Sequence, residues 1–139
     1  MGRLSRTKGA SFEREVAAAF RAAGFTDARR GLSQTRDGSE VPDVEGVPEL
    51  WIECKHRIHC NVQAALKQAE WAMLLNSRCS WRNLAAVTVT KDNRAEPIAS
   101  LYLRNFLELL RRLREAEARA VYMEAALKEA RENSEKGAA

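Results

Sequence analysis

Two carboxylates and one ammonium group are the residues of this sequence best suited to chemistry. Asp43 follows a proline in "VPDVEG", and Glu53 and Lys55 close the apolar run "LWIECKH". In an extended strand the side chains at i and i+2 share a face, so Glu53 and Lys55 are predicted to point the same way. If Asp43 lies on an adjoining strand, all three groups meet at one edge of a sheet.

Such an edge would suit phosphodiester hydrolysis, which needs a metal ion held by hard oxygen ligands. Asp43, Glu53 and the backbone carbonyl of Cys54 would be the ligands, and Glu13 on a predicted first helix would complete the shell directly or through water. Lys55 would orient or deprotonate the attacking water and neutralise charge on the phosphate. The alternative is an ordinary surface strand with a Glu/Lys pair. The apolar residues before Glu53 instead favour a central strand.

The basic residues of the chain are concentrated at its start. Residues 1–36 hold eight Lys or Arg against three Asp or Glu, although the whole chain carries a net charge of only +4. This excess predicts a polyanionic partner such as nucleic acid, because Lys and Arg displace the counterions condensed on it. A solvated basic surface is the alternative interpretation.

Hydrophobic periodicity predicts an α/β protein with one main domain. A helix is expected over about residues 10–23, and three short strands follow, the last two in "PDVEG" and "PELWIECKH". The remaining elements are a helix, two strands and a long helix, in "NVQAALKQAEWAMLLN", "LAAVTVTK", "IASLYL" and the residues from 105 onward. This order predicts a sheet flanked by helices.

The last helix has a heptad pattern that predicts a parallel two-stranded coiled coil and a homodimer. Arg112 and Arg119 occupy g positions, and Glu117 and Glu124 lie five residues further on at e. The predicted dimer contacts are the apolar residues of the seam, Phe106, Leu109, Leu113, Ala120, Met123 and Leu127. A surface helix folded back on its own domain is the alternative. We expect the main domain over 1–104, the dimerisation helix over 105–132 and a disordered tail over 133–139.

Other features of the sequence limit the class of protein to which it can belong. The sequence contains three cysteines, an odd number that argues against a disulfide framework and indicates a reducing compartment. No apolar run predicts a membrane span or a cleaved leader, so we expect a cytoplasmic protein that does not enter a membrane. A zinc site in "CKHRIHC" is disfavoured, because Cys54 and His56 face away from Lys55 and the spacing matches no common zinc motif.

The ordered motifs "KGASFEREVAAAFRAAGF", "PDVEG" and "LWIECKHR" resemble the PD-(D/E)xK nuclease superfamily. Within it they are most similar to Holliday junction resolvases of the archaeal and phage type (Hjc-like), over roughly residues 6–90. The resemblance implies a restriction-endonuclease-like mixed central sheet flanked by helices. It also implies a homodimer that uses Mg²⁺, with Mn²⁺ as a substitute, to make paired symmetric cuts in four-way DNA junctions during recombination and repair.

The resemblance assigns the catalytic set by position to Glu13, Asp43, Glu53 and Lys55. The predicted DNA-binding residues are polar or basic groups in the N-terminal segment, the first strand, the following loop and the end of the E-x-K strand: Arg3, Arg6, Lys8, Arg14, Arg29, Arg30, Arg36, Ser39, His56 and Arg57. Two features depart from the family pattern, a short interval from Asp43 to Glu53 and the long C-terminal helix. Two alternatives remain: another superfamily nuclease acting on duplex or flaps, and a non-catalytic coiled-coil DNA-binding protein.

Overall fold

The chain divides into two compact units, Met1–Tyr102 and Leu103–Ala139. The computed structural model describes residues 3–31, 41–57, 59–75, 85–92 and 95–137. The predicted Arg36 and Ser39 lie outside the described residues, and of Arg3 and Arg6 only the backbone is described.

The described residues of the first unit form two helices and five strands in the predicted order. Their bounds are α1 Arg3–Ala22, β1 Arg29–Arg30, β2 Val44–Glu45, β3 Leu50–His56, α2 Val62–Leu75, β4 Ala85–Lys91 and β5 Ile98–Ser100. Helix α1 begins seven residues earlier than the apolar repeat predicted. Residues 3–9 include Leu4 as their one large apolar residue, so this part of the sequence has no apolar repeat from which a helix could be predicted.

The five strands form one mixed sheet in the order β1-β2-β3-β4-β5. Neighbouring strands are antiparallel except for β3 and β4, which are parallel and in register from Leu50↔Ala85 to His56↔Lys91. Helix α2 supplies the connection that parallel neighbours require. The mixed sheet with flanking helices confirms the predicted α/β fold class.

Apolar side chains on the two faces of the sheet form separate core clusters. On one face Phe12 and Val16 of α1 pack with Ile52 of β3. On the other face Trp51 packs with Ala69 of α2 and its neighbours. Because strand side chains alternate, Glu53 and Lys55 lie on the α2 face together with Trp51.

Two glycines allow the backbone segments around β1 and β2 to approach closely. A Cβ on Gly31 would lie 2.0 Å from the carbonyl oxygen of Pro42, directly before Asp43. Gly46 has a positive φ of 80°, and a Cβ there would lie 2.0 Å from the Asp27 carbonyl oxygen. No other residue type fits either place without a backbone shift.

The second unit is one helix, α3, over Leu103–Gly137. It continues beyond residue 132, where the sequence analysis ended the helix. Among the described residues, no helix is both long enough and apolar enough to cross a membrane.

Candidate active site

Strand β3 places Glu53 and Lys55 on one face, as their spacing predicts. The Lys55 ammonium nitrogen lies 2.5 Å from Oε1 of Glu53, and both side chains are more than four-fifths buried. Water therefore screens this ion pair only weakly. The pair holds Glu53 in one orientation at the end of β3.

Asp43 is fixed against β3 by two hydrogen bonds. Its main-chain N–H donates to the carbonyl oxygen of Ile52 at 2.8 Å. In return, the N–H of Cys54 donates to Oδ2 of Asp43, also at 2.8 Å. The carboxylate of Asp43 thereby replaces a backbone acceptor in the ladder, and it lies beside the strand that carries Glu53 and Lys55.

The third carboxylate, Glu13, comes from α1. Its Oε2 accepts a hydrogen bond from Nε of Arg30 on β1, so a basic residue that the sequence assigned to DNA contacts a predicted catalytic carboxylate. The neighbouring Arg29 instead contacts Glu45 at 3.1 Å. These two adjacent arginines thus have different partners.

Crowded negative charge perturbs the titration of Asp43. Burial, and then the charge of Glu53, raise the pKa of Asp43 from 3.8 to about 6. The Glu13 charge raises it further, whereas the hydrogen bond from Cys54 lowers it. Burial and the same carboxylates also raise the pKa of the Cys54 thiol. Strongly shifted groups of this kind are typical of functional sites.

The donor set fits a hard divalent cation. Asp43, Glu53 and Glu13 provide carboxylate oxygens, and their mutual repulsion would be relieved by a positive ion between them. Within the described ranges, no group of three or more His, Cys, Asp or Glu side chains is already arranged around a common metal position. The carbonyl of Cys54 as a ligand stays a prediction.

A pocket of about 160 Å³ opens beside Lys55. Its polar lining comes from β3, the following loop and α2: Lys55, Arg57, His59, Asn61 and Gln68. Asn61 caps α2, because its Oδ1 accepts the N–H of Ala64 at 3.0 Å. The sequence analysis missed Asn61. An Asn directly before an amphipathic helix is an N-cap signal that could have revealed it.

The remaining predicted DNA-binding residues have varied surroundings. Lys8, Arg14 and Arg57 are exposed. His56 instead packs on Phe12 with ring centroids 5.4 Å apart. Both of its ring nitrogens are buried and have no hydrogen-bond partner in the described part of the chain. DNA contact by His56 stays a prediction, and it would require the ring to turn outward.

Comparison with known protein families identified a match. The family model described as archaeal Holliday junction resolvase (Hjc) matches residues 4–93, which is more than half of the 139-residue chain. The chain belongs to this family. The Hjc match covers α1 to β4 and therefore includes Glu13, Asp43, Glu53 and Lys55, whereas α3 lies beyond it. No curated protein and no solved structure matched the chain significantly.

Proposed function

We propose that the protein is a metal-dependent DNA endonuclease that resolves four-way junctions by paired symmetric cleavage. Membership of the Hjc family implies a junction-resolving nuclease. The observation that carries the proposal is the hydrogen bond from Cys54 N–H to Asp43, which holds one carboxylate beside the Glu53–Lys55 pair. Two carboxylates and an ammonium group held together in this way would suit metal-assisted hydrolysis of a phosphodiester.

Asp43, Glu53 and Glu13 would hold Mg²⁺, with the Cys54 carbonyl as a further ligand and Mn²⁺ as a substitute metal. When bound, the ion would polarise the scissile phosphate and lower the pKa of an attacking water. Burial, and after it the charge of Glu53, raise the pKa of Asp43, and a bound cation would offset the repulsion between these carboxylates.

Lys55 would act on the water and on the phosphate. Its ammonium group is fixed by Glu53 at 2.5 Å and also lines the pocket. Hydrolysis adds the water oxygen to phosphorus, breaks the bond to the leaving oxygen and delivers a proton to that oxygen. A buried, oriented ammonium group stabilises the charge that develops on the phosphate.

The basic residues would hold the DNA backbone. Lys8 and Arg14 are exposed on α1, which also carries Glu13. The pocket beside Lys55 adds Arg57, His59 and Gln68, whose donors suit a phosphate that flanks the cut. Contacts to phosphates rather than base edges would make the protein select junctions by shape.

Resolution of a junction requires two symmetric cuts, so we propose that the functional unit is a homodimer with two active sites. A four-way junction has two-fold symmetry, and a two-fold dimer would present one site to each of two strands. We place this activity in the cytoplasm of a prokaryotic cell or of a phage-infected host, where branched DNA arises in recombination and repair.

The deciding experiment is cleavage of an end-labelled immobile four-way junction beside its linear duplex arms, with Mg²⁺ and with EDTA. Wild type, Asp43→Asn and the control Asp27→Asn would be compared. Asp27 is exposed in the turn before β1, and its substitution makes the same chemical change. We expect paired symmetric cuts by wild type and the control only, with junction binding retained by all three.

Each other outcome has a definite meaning. Cleavage of linear duplex at the same rate would support a nuclease but rule out selectivity for junctions. Full cleavage by Asp43→Asn would rule out the proposed active site. Junction binding without cleavage under any divalent ion would favour the non-catalytic binding protein.

A further inference from the structure

The apolar stripe of α3 is exposed along most of the helix. Phe106, Leu113, Met123 and Leu127 are each between 45% and 57% exposed, although they occupy a or d positions of the heptad repeat. A protein surface rarely leaves so regular an apolar row uncovered, because burial of that area is favourable. The row therefore needs a partner.

Near the start of α3, charged side chains on the opposite side form ion pairs within the helix. Nε and Nη2 of Arg111 donate to Glu108 at 2.8 Å each, and Nη1 donates to Glu115. Residues 108, 111 and 115 fall at c and f positions, on the side of the helix away from a and d. The hydrogen bonds of Arg111 and Arg112 lower the pKa of Glu108 to about 2, so Glu108 stays ionised at neutral pH. Further along the helix Val121 and Tyr122, at b and c positions, are exposed as well, so the charges at e and g are what distinguish the a/d side.

The charges beside the stripe determine which partner fits. Arg119 at g, with Glu117 and Glu124 at e, has no ion-pair partner within the part of the helix that the structure describes. In a parallel pair of identical helices each g residue meets the e residue five positions further on in the other chain. Arg112 would meet Glu117, and Arg119 would meet Glu124. An antiparallel pair would instead place like charges together.

We propose that α3 is a homodimerisation element, in which two copies of the chain form a parallel, in-register, two-stranded coiled coil through the a and d residues. Attractive charges at g and e favour the parallel orientation and one register of the two helices. Alanines at 116, 120 and 130 let the two helices approach closely. Since α3 lies outside the residues matched by the family model, this contact is an addition to the resolvase domain.

The parallel direction has a consequence for the active sites. A helix of 35 residues is about 52 Å long. The two chains would enter a parallel coil side by side, about 10 Å apart, whereas an antiparallel coil would separate their entry points by the length of the helix. Parallel pairing thus tethers two copies of the first unit at the same end of the coil. This consequence, although not the coil itself, rests on the proposed function, which requires two sites to act on one junction.

The test is the oligomeric state of the full chain, measured by sedimentation equilibrium without DNA. Ala116→Glu/Ala120→Glu places two charges in the seam, and Ala118→Glu/Ala125→Glu places the same two charges at f positions. All four alanines are exposed in the single chain, so both variants should fold. We expect the seam variant to dissociate at least about 100-fold more readily than wild type, because charges would be buried against the partner helix. The f variant should dimerise as wild type does.

The direction of the helices is tested by disulfide trapping. Ala130→Cys, at a d position, should form an intermolecular disulfide under mild oxidation, whereas Ala125→Cys and wild type should not. A monomeric wild type, a larger assembly, or a dimer that survives Ala116→Glu/Ala120→Glu would overturn the coil. A dimer in which Ala130→Cys fails to cross-link would overturn the parallel direction. None of these measurements involves cleavage, so failure of the nuclease proposal would be seen separately.

Discussion

The main-chain N–H of Cys54 donates to Oδ2 of Asp43 at 2.8 Å, and this bond joins the two halves of the candidate site. Asp43 enters from the segment before β2, whereas Cys54 lies on β3 between Glu53 and Lys55. Together with the bond from the Asp43 N–H to the Ile52 carbonyl, the bond from Cys54 holds the Asp43 carboxylate beside the strand that carries Glu53, ten residues further along the chain. This arrangement should affect stability, metal binding and cleavage.

The first prediction concerns the pH dependence of stability in EDTA. The pKa of Asp43 is about 6 in the folded chain and 3.8 as its ordinary value, so the folded state holds this proton more tightly. The contribution of Asp43 to the free energy of unfolding therefore falls as the pH rises from about 4 to 6 and is constant above 6. Asp43→Asn should remove this loss and stabilise the metal-free protein by ~1–3 kcal/mol at pH 7.5. Urea unfolding of wild type, Asp43→Asn and the control Asp27→Asn at pH 4, 6 and 7.5 measures these free energies of unfolding. Equal stability of wild type and Asp43→Asn at pH 7.5 would contradict the assigned shift.

The second prediction concerns divalent ions. An ion that binds only the folded state stabilises it by about 1.4 kcal/mol when present at tenfold its Kd. Mg²⁺, Mn²⁺ and Ca²⁺ should therefore raise the Tm of wild type, and much less that of Asp43→Asn. The rise should be greater at pH 7.5 than at pH 5, because protons compete with the metal for Asp43. Thermal melts over a titration of each ion provide the measurement. Identical metal-induced shifts in both variants would place the ion elsewhere.

The third prediction concerns Lys55. Lys55→Met should lower single-turnover cleavage by about 10²- to 10⁴-fold and leave junction affinity within a few-fold of wild type. Cleavage should slow because Glu53 holds the ammonium group beside the carboxylates. Affinity should change little, because many Lys and Arg side chains share the contacts with the DNA phosphates. Lys128→Met on α3 is the matched control. If Lys55→Met weakened binding without slowing the cut at saturating DNA, Lys55 would be a binding residue only.

The fourth prediction separates two adjacent arginines. Arg30 contacts the predicted catalytic Glu13, whereas Arg29 contacts Glu45. Both Arg30→Gln and Arg29→Gln should weaken junction binding and reduce its salt dependence by a similar amount. Only Arg30→Gln should also reduce the cleavage rate at saturating DNA, because only Arg30 orients Glu13. Similar maximal rates for the two variants would show that the contact with Glu13 does not serve catalysis.

The fifth prediction concerns the backbone around Asp43. A methyl group on Gly31 would meet the Pro42 carbonyl oxygen at 2.0 Å, and the main-chain N–H of Gly31 donates to the Asp43 carbonyl at 2.8 Å. Gly31→Ala should therefore destabilise the fold by about 1–3 kcal/mol and displace Asp43, with loss of cleavage.

Gly9→Ala is the matched control for that change. Gly9 lies inside α1, and its added methyl group would have only an ordinary contact with Glu13 at 3.8 Å. Gly9→Ala should stabilise the protein by up to about 1 kcal/mol, since alanine favours helix. Chemical denaturation of both variants measures the difference, and a neutral Gly31→Ala would show that the backbone there can move aside.

The elements and the direction of the key side chains could be predicted from local sequence. Strand alternation is a local property of the backbone, so the sharing of one face by Glu53 and Lys55 could be read from their spacing. The same holds for the order of helices and strands and for the heptad pattern of α3. Residue types also made Asp43 and Glu13 candidates, and the family resemblance supported both, but the sequence could not place them in space.

The contacts between these groups could not be predicted without the packing of the elements. The hydrogen bond between Cys54 and Asp43, the contact of Arg30 with Glu13 and the position of Asn61 and Gln68 in the pocket depend on how strands and helices pack. His56 shows the limit most clearly, because Phe12, against which its ring packs, lies more than forty residues away in sequence. Periodicity reports the face of an element on which a residue lies, whereas contacts depend on the relative placement of elements joined by long stretches of chain.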